Sequence, residues 1–167
     1  ASRRNRFTVY YLSNALETRA DFTRIGVINM EITRFREQYV FLSNFFPVVI
    51  NYEGLTFYSV EAAFQACKTL NMNTRILFTG IKAKDAKVRG RLLPLRPDWE
   101  RVKDKIMYEL CYQKFSENEV LKDKLLETGD AILIEGNRYH DTYWGMVDGV
   151  GENKLGKILM RIREELK

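Results

Sequence analysis

PVVINYEGLTFYSVEAAFQACK, residues 47–68, passes from one local pattern to another without a break. Its first half holds two short β-branched and aromatic runs on either side of Glu53-Gly54, the composition of a tight hairpin in which Gly54 supplies positive φ. Its second half turns to helical spacing. Ser59 offers a side-chain oxygen to the unpaired first-turn N–H groups, Glu61 falls in the electropositive first turn, and Val60, Phe64 and Cys67 form an apolar stripe. Glu61, Gln65 and Lys68, at i, i+4 and i+7, make a polar ridge on another face of the same helix. A hairpin feeding directly into a helix predicts a mixed architecture.

Upstream, FTVYYL (7–12) and RIGVINMEI (24–32) read as weak strands separated by a turn or short helical piece. Downstream the pattern is helical. Short pieces at 73–78 and 82–89 are closed by Gly80 and Gly90, and Asp98, after the breaker Pro97, can cap a helix from Trp99 to about Phe115. Asn118 is placed to cap a helix ending at Gly129, and AILIE (131–135) is a strand candidate. Gly136 to Gly151, with four glycines and no usable period, reads as a loop of functional length. Asn153 then caps a last helix with an inward stripe of Leu155, Ile158, Leu159, Ile162 and Leu166. The predicted class is α+β, mainly α-helical, with a small β component. It is one compact domain over residues 31–167, with residues 1–30 as an extension packed on or flanking it.

Composition narrows the function. With 46% hydrophobic and 29% charged residues the chain has the make-up of a soluble folded protein rather than a disordered one. No stretch reaches about 18 apolar residues and no signal-peptide apolar region is visible, so a cytoplasmic location and no membrane partner are expected. Cys67 and Cys111 lack metal-ligand spacing and fall among apolar helical residues, which predicts reduced, buried thiols. The net charge of +5 favours anionic partners, with phosphorylated metabolites, dinucleotides and nucleic acid all compatible.

Three features carry chemistry beyond the core: the Glu61-Gln65-Lys68 ridge, GRLLPLRPDW (90–99) and HDTYWG (140–145). Lys68, Arg91 and Arg96 are candidates to hold a phosphate through charge-assisted bonds, and Trp99 and Trp144 offer flat faces for a heterocycle. Each has a purely structural competitor. Glu61 and Lys68 fit a solvated helix face, Trp99 fits a core or staple position, and for loop residue Trp144 the two explanations stand level. His140 is the only histidine and cannot assemble a metal site alone. Gly149-x-Gly151 before Asn153 is a weak phosphate signal without a preceding Rossmann strand. Serine-hydrolase elbows, zinc pairs, Walker loops and zinc-deaminase signatures are absent from the sequence.

FLSNFFP (41–47), YSVEAAFQACK (58–68), GR (90–91), RPDWERVKDKIM (96–107), KF (114–115), LLETGDAILIE (125–135), DTYWG (141–145) and GENKLGKILMRIR (151–163) together resemble the YbiA-like NADAR family, in order from about Arg34 onward. The resemblance implies a compact, mainly helical fold and N-glycosidase activity on ribosylaminopyrimidine 5′-phosphate intermediates of riboflavin synthesis. It also implies an alternative, removal of ADP-ribose from guanine in nucleic acid or nucleotides. A third reading is a noncatalytic module that binds ADP-ribose or nucleic acid. No metal or organic cofactor is implied. The expected partner is a phosphorylated N-riboside or ADP-ribosyl small molecule, with nucleic acid as a possible ADP-ribosylated substrate.

The family's catalytic glutamate matches Glu61, its pocket tryptophans Trp99 and Trp144, and its acid three residues before the second tryptophan Asp141. Where members commonly carry a larger residue after the glutamate, this chain has Ala62, a departure expected to alter the pocket. On this reading Glu61 stabilises an oxocarbenium-like centre and orients water. Asp141 orients ribose hydroxyls or assists protonation of the base, while Lys68, Arg91 and Arg96 hold phosphate. Trp99 and Trp144 border the base, and Asn44 and Asn153 supply neutral hydrogen bonds.

Overall fold

The computed structural model describes residues 30–167. The strand expected at 7–12, and all of the 24–32 strand before Met30, lie outside the described residues. Within them the expected class holds: six α-helices and four short strands form a mainly helical α+β domain.

The hairpin forms where its composition places it. β2 (Ile50–Tyr52) pairs antiparallel with β3 (Leu55–Phe57), and both turn residues, Glu53 (φ 47°) and Gly54 (φ 80°), adopt positive φ. That double left-handed turn matches the twist of the flanking strands, so Glu53 as well as Gly54 leaves the usual backbone region. The other strand pair is parallel and only two residues long. β1 (Glu31–Ile32) runs beside β4 (Ile132–Leu133), tied by Ile132 N–H to Met30 O at 2.9 Å and Ile134 N–H to Ile32 O at 2.8 Å.

Helix α1 (Val60–Ala66) is the centre of the molecule, with all seven residues buried. Ser59 caps it as its sequence predicts, its Oγ accepting from Ala62 N–H at 3.0 Å, and the Asn44 carbonyl accepts from Glu61 N–H, also at 3.0 Å. Around α1 stand α2 (Met72–Ile76), α3 (Ala83–Gly90) and α4 (Trp99–Ser116), with the hairpin against its start. α5 (Glu119–Glu127) and α6 (Lys154–Glu165) complete the core through Leu121, Leu125, Leu155, Leu159 and Ile162. Burying each such side chain stabilises by about 1.5–3 kcal/mol. The apolar stripe expected for α6 includes Ile158 and Leu166, which the structure leaves only partly buried.

Two close approaches fix how the layers stack. Gly90 sits where a Cβ would lie 1.9 Å from Gln65 Oε1, so the absence of a side chain lets α3 press against α1. Gly156 does the same for α6 against the β4 backbone, since a Cβ there would lie 2.1 Å from the Leu133 carbonyl oxygen.

Three expected caps do not form. The Asp98 carboxylate is taken by Arg96, Asn118 makes no side-chain cap bond, and Asn153, at φ 51°, commits its amide to the backbone of Leu133 and Glu135. Both cysteines are free and buried, as their apolar neighbours predict.

Candidate active site

A cleft of about 380 Å³ opens over the buried face of α1. Glu61 lies at its base with only 5% of its surface exposed, and Gln65, one turn on, donates from Nε2 to Glu61 Oε1 at 2.8 Å. The ridge read from the sequence is therefore a buried wall of a cleft rather than a solvated face. Burial raises the Glu61 pKa above the usual glutamate value, and the Asp141 charge adds to this. Lys87, the Gln65 bond and Lys68 pull the other way.

Lys68 is half-buried beside it, with Nζ 3.4 Å from the Gly90 carbonyl, and burial lowers its own pKa. Lys87 reaches the cleft from α3, where Ala83, Ala86 and Gly90 face the core and leave it beside the contact; its ammonium also lies 5.5 Å from the centre of the Phe45 ring. Arg91 lies exposed on the rim. Asn44 lines the cleft next to the loop that caps α1. Its amide is engaged by sulfur on both sides, donating to Met107 Sδ at 3.3 Å and accepting from Cys111 Sγ at 3.7 Å.

The two tryptophans flank Phe64 rather than each other. Trp99 is buried with its ring 5.0 Å from Phe64, and Trp144 is half-buried, edge-on to Phe64 at 5.4 Å and to Tyr143 at 5.0 Å. Together they form one aromatic wall, with tilted and edge-to-face pairs that hold ring orientation. Tyr143 is fixed in turn by its hydroxyl donating to Asp104 at 2.6 Å and by Lys103 lying 4.0 Å from its ring centre.

The 136–151 loop is a folded scaffold. Asn137 Nδ2 donates to Asp141 O at 2.8 Å, while Asp141 Oδ1 accepts from Tyr143 N–H at 3.1 Å and Trp144 N–H at 2.9 Å. Asp141 thus borders the cleft and also shapes the turn that presents Trp144. Gly149 (φ 82°) and Gly151 (φ 148°) serve the backbone: Gly151 packs against the Gly145 carbonyl, and neither borders this cleft.

Seven of the nine expected site residues therefore converge: Glu61, Asp141, Asn44, Lys68, Arg91, Trp99 and Trp144. Arg96 and Asn153 do not line the cleft. Arg96 is held bidentately by Asp98 at 2.6 and 3.0 Å, which neutralises the guanidinium. Asn153 is a buried splice between α6 and β4, with Nδ2 donating to Leu133 O at 2.9 Å and Oδ1 accepting from Glu135 N–H at 3.0 Å. Ala62 is fully buried in the core and does not itself line the cleft.

The sequence gives no site role to Lys87, Glu135, Lys103, Tyr139 and Tyr143, nor to Phe64, which it places in the apolar stripe; all six border the cleft. For Lys87 a signal existed in the small-residue spacing Ala83, Ala86, Gly90; for Glu135 it lay in its place at the end of the family-like block 125–135, just after a strand. Among the described residues no group of three or more His, Cys, Asp or Glu side chains is arranged to hold a metal ion, and no helix is long and apolar enough to cross a membrane.

Comparison with known proteins agrees with this fold. The NADAR domain family matches residues 32–167. The chain belongs to the NADAR family. It is 35% identical over 138 residues to N-glycosidase Npun_R5314 of Nostoc punctiforme, covering 78% of this chain and 88% of that protein. It is 35% identical over 134 residues to N-glycosidase YbiA of Escherichia coli, covering 78% and 83%. The NMR structure of E. coli YbiA superposes with a TM-score of 0.73, over 84% of this chain and 87% of that one. Riboflavin biosynthesis protein VVA0006 of Vibrio vulnificus is 36% identical over 137 residues, but the match spans only 36% of that longer protein.

Proposed function

We propose that this NADAR-family protein is an N-glycosidase whose cleft hydrolyses the bond between a ribose phosphate and its nitrogenous base, with a ribosylaminopyrimidine 5′-phosphate as substrate. The glycosyl hydrolase class follows from relatives named N-glycosidases that align over most of their length. The substrate reading draws on the relative named a riboflavin biosynthesis protein. The observation that carries the proposal is the buried Glu61 carboxylate, held by Gln65 beneath an aromatic wall and beside lysines.

In such a reaction positive charge grows on the anomeric carbon and ring oxygen as the base departs. A carboxylate held near that carbon stabilises the charge and orients the attacking water, and a water-poor site strengthens the effect. Lys68 and Arg91 are placed to hold phosphate at the mouth, Lys68 more tightly because it is partly desolvated. Trp144 and Trp99 border the base, Asn44 offers a neutral hydrogen bond, and Asp141 faces ribose hydroxyls.

A second reading, release of ADP-ribose from guanine, is favoured by one feature. The cleft continues past Lys87 into an adjoining hollow of about 260 Å³ bordered by Arg36, Phe45 and Tyr139, room for a substrate with a further phosphate or ring. Purified protein incubated with a ribosylaminopyrimidine 5′-phosphate and, separately, with an ADP-ribosylated guanine oligonucleotide decides between them by chromatography of the free base. Release from the first alone supports the proposal. Release from the second alone replaces it with the alternative, and binding of either without release makes the chain a noncatalytic module.

A further inference from the structure

The cleft contains a second acid to which the reaction above gives no task. Glu135 follows β4 where the chain leaves the sheet, and its backbone is pinned on both sides: its N–H donates to Asn153 Oδ1 at 3.0 Å and its carbonyl accepts from Met146 N–H at 2.9 Å. The side chain borders the same cleft as Glu61, and its Oε2 is buried with no hydrogen-bond partner among the described residues. Buried polar atoms are rarely left unpaired, and an orphan on a cleft wall calls for a ligand atom opposite it. Asp141, the other acid here, already commits Oδ1 to two backbone N–H groups and so shapes the turn that presents Trp144.

We propose that Glu135 is a second catalytic carboxyl, the acid that protonates the departing base. The inference rests on the reading of Glu61 given above. As the bond between C1′ and the base nitrogen breaks, its electron pair goes to that nitrogen, which takes the Glu135 proton. Water adds through oxygen to C1′ and its spare proton passes to Glu61. Glu61 then loses one proton to solvent and Glu135 regains one, so the cycle closes with one water consumed. Two carboxyls that differ in protonation are how O-glycoside hydrolysis is arranged, and environment sets which is which.

The surroundings of Glu135 suit the proton donor's part, while at Glu61, whose pKa burial also raises, Lys87, the Gln65 bond and Lys68 favour the carboxylate. Burial raises the Glu135 pKa to about 7, with Asp141 from the loop and Glu61 from α1 adding to the rise, while Lys87 from α3 and Arg36 oppose it. Lys114 of α4 also feels its charge. Glu135 is therefore protonated in part near neutrality, where an acid that must give up its proton works best.

The test is Glu135→Gln, assayed for base release from the riboside phosphate between about pH 5 and pH 9 beside the wild type and Glu61→Gln. In the wild type the rate falls above about pH 7 as Glu135 loses its proton. The variant is expected to lose about 10²–10⁴-fold at acid pH and to show no such fall. The ratio of its rates at about pH 6 and about pH 8.5 does not depend on how much of it folds, so poor expression does not mask the result. A variant that keeps the wild-type fall, or loses less than about tenfold, overturns the proposal. The two ideas fail separately: full activity in Glu61→Gln sinks the site reading itself, whereas an inactive Glu61→Gln beside an unimpaired Glu135→Gln sinks only this one.

Discussion

Lys87 exerts the largest opposing charge on both Glu61 and Glu135, pulling the pKa of each down against burial. Replacing it with Met removes that pull, so both pKa values rise. Because Glu61 acts as the carboxylate, the acid limb of the kcat/KM profile of Lys87→Met should move to higher pH. A limb that stays in place would show that Lys87 does not govern Glu61. Trp144 poses a different question, since it is half-buried on the loop while Trp99 is core. Trp144→Ala should raise KM about tenfold or more, the effect of losing a stacked base contact of about 1–3 kcal/mol, with a smaller change in melting temperature. A large loss of Tm with unchanged KM would make Trp144 a packing residue alone.

At the scale of elements, the contact between α1 and α3 sets the acid's position. Ala is favoured over Gly inside a helix by about 1 kcal/mol, yet a Cβ at residue 90 would meet Gln65 Oε1 at 1.9 Å and Gln65 Cβ at 2.9 Å. Gln65 must then move and release Glu61 Oε1. Gly90→Ala is expected to cost about tenfold or more in kcat while changing Tm by only a few degrees, measured by steady-state kinetics and thermal melting. Equal kcat would mean that Gln65 does not hold the carboxylate. The elements themselves were largely legible. The hairpin turn, the Ser59 cap and the helices starting near 73, 82, 99, 119 and 154 follow from local chemistry that the tertiary fold does not override. The Asp98, Asn118 and Asn153 caps were not, because a side chain suited to capping serves whichever donor the fold brings nearest: Arg96 for Asp98, and the backbone about β4 for Asn153.

For the molecule as a whole, Cys67 and Cys111 report on integrity. Burial raises both thiol pKa values to about 12, and they are the chain's only cysteines. Iodoacetamide near about pH 8 should modify neither in the native protein and both after denaturation, counted by mass. Since each folded pKa lies above its unfolded value, the thiols favour folding at neutral pH and that contribution is lost as pH rises from about 9 toward 12. Modification of a native thiol would contradict the packing of α1 on α4. The molecule also explains why part of the site escaped the sequence. Glu61, Trp99, Asp141 and Trp144 match positions to which the family resemblance gives a role, whereas Lys87, and Glu135 at the end of the block 125–135, become functional candidates only when α3 and the end of β4 meet over α1. Such meetings leave no local period to read.

Burying Glu61 does not help the fold. A desolvated carboxylate costs several kcal/mol, only partly offset by one side-chain bond and nearby lysines. That cost is the mark of a residue kept for chemistry, and it sets up a decisive comparison. Glu61→Gln is measured for free base released from a ribosylaminopyrimidine 5′-phosphate and for melting temperature, each against the wild type. The account predicts an unchanged or higher Tm with base release reduced by at least about 10²-fold. Base release at the wild-type rate from a folded Glu61→Gln protein would contradict it.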